Sequence, residues 1–116
     1  MTFAKAGVVA GEGPAGSADL DAVQQAGLEM VKLRWPVNPV GDVAAYRSIG
    51  VHRFLVQLLS PDVGVSPVSP ETFVEAVSPA VEAFLRAGVT DFEVHGEPNL
   101  AERGYGVSWD SPAAFA

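Results

Sequence analysis

The fold of this chain is decided by GLEMVKLR at residues 27–34, GVHRFLVQ at residues 50–57 and GVTDFEVH at residues 88–95. Each segment begins with a glycine, continues with an aliphatic residue and polar residues, and then enters a short run of strand-forming residues. A glycine that follows a helix can adopt the left-handed conformation that ends the helix. The repeated order of helix, glycine and strand therefore indicates βα units and a parallel sheet.

The stretches that precede these glycines carry helical signals. Ser17 is predicted to cap a first helix. A second helix is predicted from about Asp42 to Ile49, with Val43 and Tyr46 as its buried anchors. A first strand is predicted near Phe3–Ala10, ahead of both helices.

The third helix has the clearest start in the sequence. Ser69 is a favourable N-cap residue, and Pro70 suits the first helical position. Pro79 lies inside the apolar run that follows, and it predicts either a kink or a split of this helix into two.

Four strands alternating with three helices form an α/β pattern typical of the first half of a (β/α)8 TIM barrel. A closed barrel of this kind needs about 250 residues, whereas this chain has 116. Residues 1–116 are therefore interpreted as the N-terminal half of one barrel domain. Ser111 and Pro112 repeat the Ser-Pro helix start, which predicts a further helix there and a barrel truncated after it.

Composition narrows the classes of partner. The formal net charge is −7, which disfavours binding to nucleic acid or to an anionic membrane surface. No apolar run approaches the roughly 20 residues of a membrane-spanning helix. The chain has no cysteine, and neither a phosphate-binding glycine loop nor a metal-ligand cluster stands out, so no metal and no cofactor is predicted.

Alternation along the strands predicts two different sheet faces. One face is apolar and is expected to meet the helices. The other is expected to point toward the barrel axis with Lys32, Arg34, Gln57, Glu93, His95 and Glu97. Lys32 and Glu93 lie in the middle of their strands, which favours a structural ion pair.

Other polar residues fall at the carboxyl ends of strands, where barrel enzymes build their active sites. Arg34 with Trp35 is either a sugar-facing pair or a strand end followed by a tryptophan packed on a loop. His95 is either a hydrogen-bonded structural imidazole or a substrate contact, and Trp109 has the same ambiguity as Trp35.

The segment FEVHGEPN at residues 92–99 resembles the strand-four motif of clan A glycoside hydrolases. That family is typified by Asn-Glu-Pro, often followed by Asn, and it keeps its acid/base glutamate in this motif. The resemblance implies that Glu97 is the general acid/base of a retaining O-glycosyl hydrolase acting on an oligo- or polysaccharide. It also implies that Asn99 and Trp109 belong to the substrate-binding region.

The local chemistry agrees with this assignment of Glu97. Pro98 biases Glu97 toward an extended backbone and ends the strand ladder. A carboxylic acid at a barrel mouth can protonate a leaving glycosidic oxygen and later activate water. A glutamate that caps a loop or pairs with Arg34 is the structural alternative.

Two features separate this chain from a complete enzyme of that family. Gly96 stands where the family has asparagine, so the sugar contact of that asparagine is missing. The nucleophile of the family comes from strand seven, and the predicted elements end with strand four. We therefore expect the 116-residue chain to be catalytically incomplete.

Two further classes of function stay open from the sequence. The chain could be a non-catalytic half-barrel that binds sugar or forms a homodimer, since an open sheet leaves two edges and one uncovered face. It could also belong to a different barrel enzyme, such as a lyase or aldolase that uses Lys32 as a Schiff-base amine.

Overall fold

A computed structural model describes residues 7–11, 13–59 and 69–94. Strands and helices alternate strictly along them. The elements are β1 (Gly7–Val9), α1 (Ser17–Ala26), β2 (Met30–Trp35), α2 (Gly41–Arg47), β3 (Arg53–Leu58), α3 (Pro70–Arg86) and β4 (Asp91–Val94). The predicted order of βα units is confirmed.

The four strands form one parallel sheet in the order β1-β2-β3-β4. Val31 on β2 lies opposite Phe54 on β3, and Val56 on β3 lies opposite Phe92 on β4. Each new strand is therefore added beside the previous one, which is how a (β/α)8 barrel is wound. The fold is α/β, with an arrangement compatible with part of such a barrel.

The core lies between the sheet and the helices. The side chains that the strands turn toward the helices are Val31, Leu33, Phe54, Val56 and Leu58, all buried. They pack with Val43 and Tyr46 of α2 and with Val77 and Phe84 of α3, so the two predicted anchors of α2 are confirmed. Among the described residues, no helix is long and apolar enough to cross a bilayer.

Glycines lie between each helix and the strand that follows it, as predicted. Gly27, Gly50 and Gly88 have φ values of 67°, 105° and 92°, a region of backbone conformation that disfavours residues with a side chain. This geometry lets the chain turn from each helix into the next strand without strain.

Two helix boundaries differ from the prediction. Gly16, and not Ser17, is the N-cap of α1, because the carboxylate of Asp19 accepts the Gly16 backbone N–H at 3.0 Å and so stabilises the start one residue earlier. Helix α2 ends at Arg47, and Ile49 lies in the turn that follows.

Helix α3 begins as predicted but continues through its internal proline. The hydroxyl of Ser69 accepts the backbone N–H of Thr72 at 3.1 Å, and Pro70 is the first helical residue. Of the two predicted effects of Pro79, the split is wrong, since one helix runs from Pro70 to Arg86, and the kink stays a prediction. Val77 and Phe84 are buried on either side of Pro79, so packing against the sheet offsets the hydrogen bond that proline removes.

The described part of the first strand is shorter than predicted. Strand β1 covers Gly7–Val9, and the Ala10 backbone N–H then donates to the Lys32 carbonyl at 2.9 Å. Residues 3–6 of the predicted strand lie outside the described residues.

Candidate functional site

The sheet face that points away from the helices carries the polar side chains. We call it the mixed face and define it by Val9, Met30, Lys32, Arg34, Leu55, Gln57, Asp91 and Glu93. The register places Arg34, Gln57 and Glu93 side by side on three adjacent strands. The predicted grouping of Lys32, Arg34, Gln57 and Glu93 on one face is confirmed.

Lys32, Gln57 and Glu93 form a hydrogen-bonded group at the centre of the mixed face. Lys32 Nζ lies 2.8 Å from Glu93 Oε2, and Gln57 Nε2 donates to Glu93 Oε1 at 2.9 Å. The predicted structural ion pair is therefore confirmed. Hydrogen bonding from Lys32 holds the pKa of Glu93 below its usual value, and the Gln57 amide acts in the same direction against partial burial.

This arrangement bears on the lyase or aldolase alternative. A Schiff-base lysine needs a free amine that can attack a carbonyl carbon. Lys32 Nζ instead holds the Glu93 carboxylate, so the geometry favours a structural role for Lys32.

Arg34 lies near the carboxyl end of β2 on the mixed face. Its Nε is shielded from solvent and has no hydrogen-bond partner among the described residues. A buried guanidinium nitrogen without a partner is costly, and in native structures such an atom calls for an explanation, of which a bound water, ion or ligand is one. This atom makes Arg34 the strongest ligand-contact candidate in the described part of the chain.

Trp35 is the last residue of β2, and it is partly buried against the core on the helix side of the sheet. Since neighbouring strand residues point to opposite faces, Arg34 and Trp35 are not brought together on one face. The packing of Trp35 against the core favours the structural interpretation of this tryptophan. Its role as a substrate contact stays a prediction.

Two buried polar residues at the same edge of the sheet were missed by sequence reasoning. Asn38 is only 1% exposed, and its Nδ2 donates to the carbonyls of Gly11 and Gly13, both at 2.9 Å. Its Oδ1 accepts the Arg34 backbone N–H at 2.8 Å. Asn38 therefore ties the loop after β1 directly to the backbone of Arg34.

Asp42, in the first turn of α2, makes a second connection to the loop after β1. Both of its carboxylate oxygens accept the backbone N–H of Ala15, each at 3.1 Å. The sequence identifies Asp42 only as a residue near the start of a helix. Its partner cannot be predicted from a local sequence pattern, because Ala15 lies 27 positions away along the chain.

A concave cavity of about 480 Å³ lies over the amino-terminal half of the mixed face. Its lining includes Val9, Met30, Lys32 and Leu55. Arg34 is not part of this lining, so the cavity is separate from the carboxyl edge where the catalytic residues are predicted. Among residues 7–11, 13–59 and 69–94, no group of three or more His, Cys, Asp or Glu side chains could hold a metal ion.

The remaining predicted site residues are His95, Glu97, Asn99 and Trp109, and all four lie outside the described residues. Their assigned roles stay predictions. Comparison of the chain with family models, with curated proteins and with solved structures found no match.

Proposed function

We propose that this chain supplies the first four βα units of a retaining (β/α)8-barrel glycoside hydrolase that acts on an oligo- or polysaccharide, with Glu97 as general acid/base. The single observation that supports the barrel part of the proposal is the sequential order of the four described strands, with the described helices packed on one face of their sheet. The glycosidase part is supported by the Glu-Pro-Asn sequence at residues 97–99.

The strand order favours a barrel over the other common parallel fold. Doubly wound sheets reverse their strand order at a switch point and carry helices on both faces. Here the order does not reverse, and α2 and α3 contribute to the same core cluster against one face. The opposite face bears Lys32, Gln57 and Glu93, a polar content expected of a barrel interior.

The position of the motif supports the chemistry. Glu97 follows Val94, the last residue of β4, by three residues, and Arg34 lies near the end of β2. Carboxyl ends of parallel strands share one edge of a sheet, which in barrel enzymes is the catalytic edge. In the proposed mechanism a carboxylate on strand seven, about 5 to 5.5 Å from the Glu97 carboxyl group, attacks the sugar while Glu97 protonates the leaving oxygen. Glu97 then removes a proton from the water that releases the sugar from that carboxylate.

The test begins with the coding DNA beyond codon 116. The whole reading frame is expressed, and E97Q is compared with E82Q, which makes the same change on the exposed face of α3. We expect E97Q to lower kcat on a glycoside with a poor leaving group by about 10²- to 10⁴-fold, because proton transfer contributes that much. The loss should be much smaller on a dinitrophenyl glycoside, whose leaving group needs no proton.

E82Q should leave turnover unchanged on both substrates. Equal turnover by E97Q and the unaltered protein on the poor leaving group would overturn the assignment of Glu97. A reading frame that stops after codon 116 would overturn the proposal of a complete hydrolase.

A further inference from the structure

The parallel ladder between β1 and β2 stops at the carboxyl edge of the sheet. The last bond of this ladder among the described residues runs from the Ala10 backbone N–H to the Lys32 carbonyl at 2.9 Å. Residues two apart on a strand point their backbone groups to the same side, so the N–H of Arg34 also points toward β1. A regular ladder would pair this N–H with a carbonyl of that strand. Here it donates to Asn38 Oδ1 instead, at 2.8 Å.

Asn38 replaces that ladder bond and holds the ends of both strands. Its backbone N–H donates to the Arg34 carbonyl at 2.7 Å, so two hydrogen bonds join these two residues. Its Nδ2 donates to the carbonyls of Gly11 and Gly13, both at 2.9 Å. Asn38 is almost fully buried, so water does not compete for these bonds. The backbone of Arg34 and the loop after β1 are therefore held as one unit.

The Arg34 side chain extends from this fixed backbone onto the mixed face. Its Nε is shielded from solvent and has no hydrogen-bond partner in the part of the chain that the structure describes. Lys32, on the same strand and face, is held by Glu93 instead. A donor that is already fixed in place loses less conformational freedom when it binds an acceptor, so it binds more tightly.

We propose that Asn38 is a positioning residue: it fixes the Arg34 backbone against the loop after β1, so that the Arg34 guanidinium meets an oxygen of the saccharide in a preset orientation. This inference rests on the proposed function, because it takes the ligand of Arg34 to be the sugar. A purely structural Asn38 would stabilise the same loop without changing how tightly the sugar binds. The two roles therefore predict different effects on KM.

The test is a double-mutant cycle in the protein expressed for the E97Q comparison. A glycoside with a poor leaving group is used, because slow chemistry brings KM close to the dissociation constant. R34M removes the guanidinium and should raise KM about 10-fold or more, the contribution of a hydrogen bond to a charged group. N38A should raise KM by a smaller factor, at least about twofold, with little change in kcat. Because Asn38 acts through Arg34, R34M/N38A should have the KM of R34M alone.

V77A is the matched control for a loss of stability. Val77 on α3 is buried on the helix side of the sheet, away from Arg34, so V77A should lower the free energy of unfolding and leave KM unchanged. Fold-changes in KM that multiply in R34M/N38A would overturn the proposal. An N38A protein with an unchanged KM would also overturn it, since Asn38 would then have a structural role only.

A second measurement needs no turnover. The NMR signal of the Arg34 Nε–H group, identified by its absence from R34M, reports how rigidly the guanidinium is held. We expect an order parameter near the value of about 0.85 found for rigid backbone in the unaltered protein, and a lower value in N38A. A value below about 0.6 in the unaltered protein would overturn the proposal even if N38A does not fold. An unchanged value in a folded N38A would overturn it as well.

The positioning role and the glycosidase assignment fail separately. The NMR measurement contains no sugar and no chemical step, so unchanged turnover in E97Q leaves it unaffected. If the protein turns over no glycoside, the order of Arg34 alone decides the role of Asn38. Conversely, a mobile Arg34 side chain leaves the expected effect of E97Q as it is.

Discussion

Among single residues, Asn38 combines near-complete burial with three side-chain hydrogen bonds to the backbone. It is almost fully buried, and its amide uses both donor hydrogens and its oxygen in contacts with the loop after β1 and with strand β2. Every polar atom of the side chain is therefore satisfied by backbone atoms. An isosteric change that alters only hydrogen bonding should reveal how much these contacts contribute.

N38D replaces the donor group by an oxygen that faces the carbonyls of Gly11 and Gly13. We expect a loss of about 2–5 kcal/mol in the free energy of unfolding at neutral pH, because a buried carboxylate then meets two acceptors. The new carboxyl favours its protonated form in the folded state, so the loss should shrink as pH falls and grow as pH rises.

Urea unfolding at several pH values measures this effect. Q25E is the matched control, because it introduces the same charge at an exposed position on α1 and should be nearly neutral. A cost for N38D that is no larger than that of Q25E would show that the loop contacts contribute little.

The ion pair of the mixed face gives a second prediction at this scale. The pKa of Glu93 is lowered in the folded protein, so its contribution to stability is fully present above the usual value of 4.5 and is lost as pH falls through the lowered pKa. The Glu93 side chain is 35% exposed, which limits the contribution of the pair to less than about 1 kcal/mol.

E93Q should therefore lower the urea midpoint slightly at pH 7 and match the unaltered protein well below pH 4.5. E82Q removes an exposed pair with Arg86 and should have no measurable effect at either pH. An E93Q effect that increases toward acid would contradict the sign of the linkage.

At the scale of secondary-structure elements, the helix ends depend on glycines with different surroundings. Gly27 after α1 has a φ of 67°, and a Cβ there would meet no atom within 4 Å. Gly88 after α3 has a φ of 92°, and a Cβ there would lie 3.0 Å from Arg47 Nη2. The Arg47 guanidinium also donates to the Ala87 carbonyl and lies 5.4 Å from the centre of the Phe54 ring.

G27A should cost about 1–2 kcal/mol from backbone strain alone. G88A should cost more, because the same strain is joined by a shift of the Arg47 guanidinium, which contacts the Ala87 carbonyl and the Phe54 ring. G41A is the control, since Gly41 has no left-handed φ and has open space around it, and it should be close to neutral. Thermal melts of the three variants rank these effects, and G88A milder than G27A would refute the role given to Arg47.

At the scale of the whole molecule, one layer of packing holds the helices on the sheet. Phe84 of α3 is 0% exposed and belongs to the same core cluster as Val56 of β3 and Tyr46 of α2. A domain of about this size has roughly 5–15 kcal/mol of total stability. The loss of one such aromatic side chain is therefore a large fraction of the total.

F84A should cost about 3–5 kcal/mol, since it removes buried area and leaves a cavity. L85A changes the next residue, which is 50% exposed, and should cost less than about 1 kcal/mol. Urea midpoints at one fixed protein concentration compare the two, because self-association links stability to concentration. Similar costs would show that α3 does not depend on its buried face.

The features that sequence reasoning predicted correctly are those with local or periodic signals. The left-handed glycines and the Ser69 cap depend on backbone preferences within a few residues. Alternation along each strand places Lys32 and Glu93 on the same face, and their contact follows once the repeated βα units bring both strands into one sheet. The parallel sheet follows from repetition of these signals. The catalytic role of Glu97 was also inferred from a short motif, and this role stays a prediction.

Tertiary packing decided the features that have no local signal. Asn38 finds its partners 25 and 27 positions away, and the burial of Asp42 depends on the same folded loops. Pro79 stays inside one helix because Val77 and Phe84 are held by the sheet, although proline by itself disfavours helix continuation. The amino-acid sequence alone determines local conformation through steric and hydrogen-bonding preferences, whereas burial and distant partners are set only when the elements pack together.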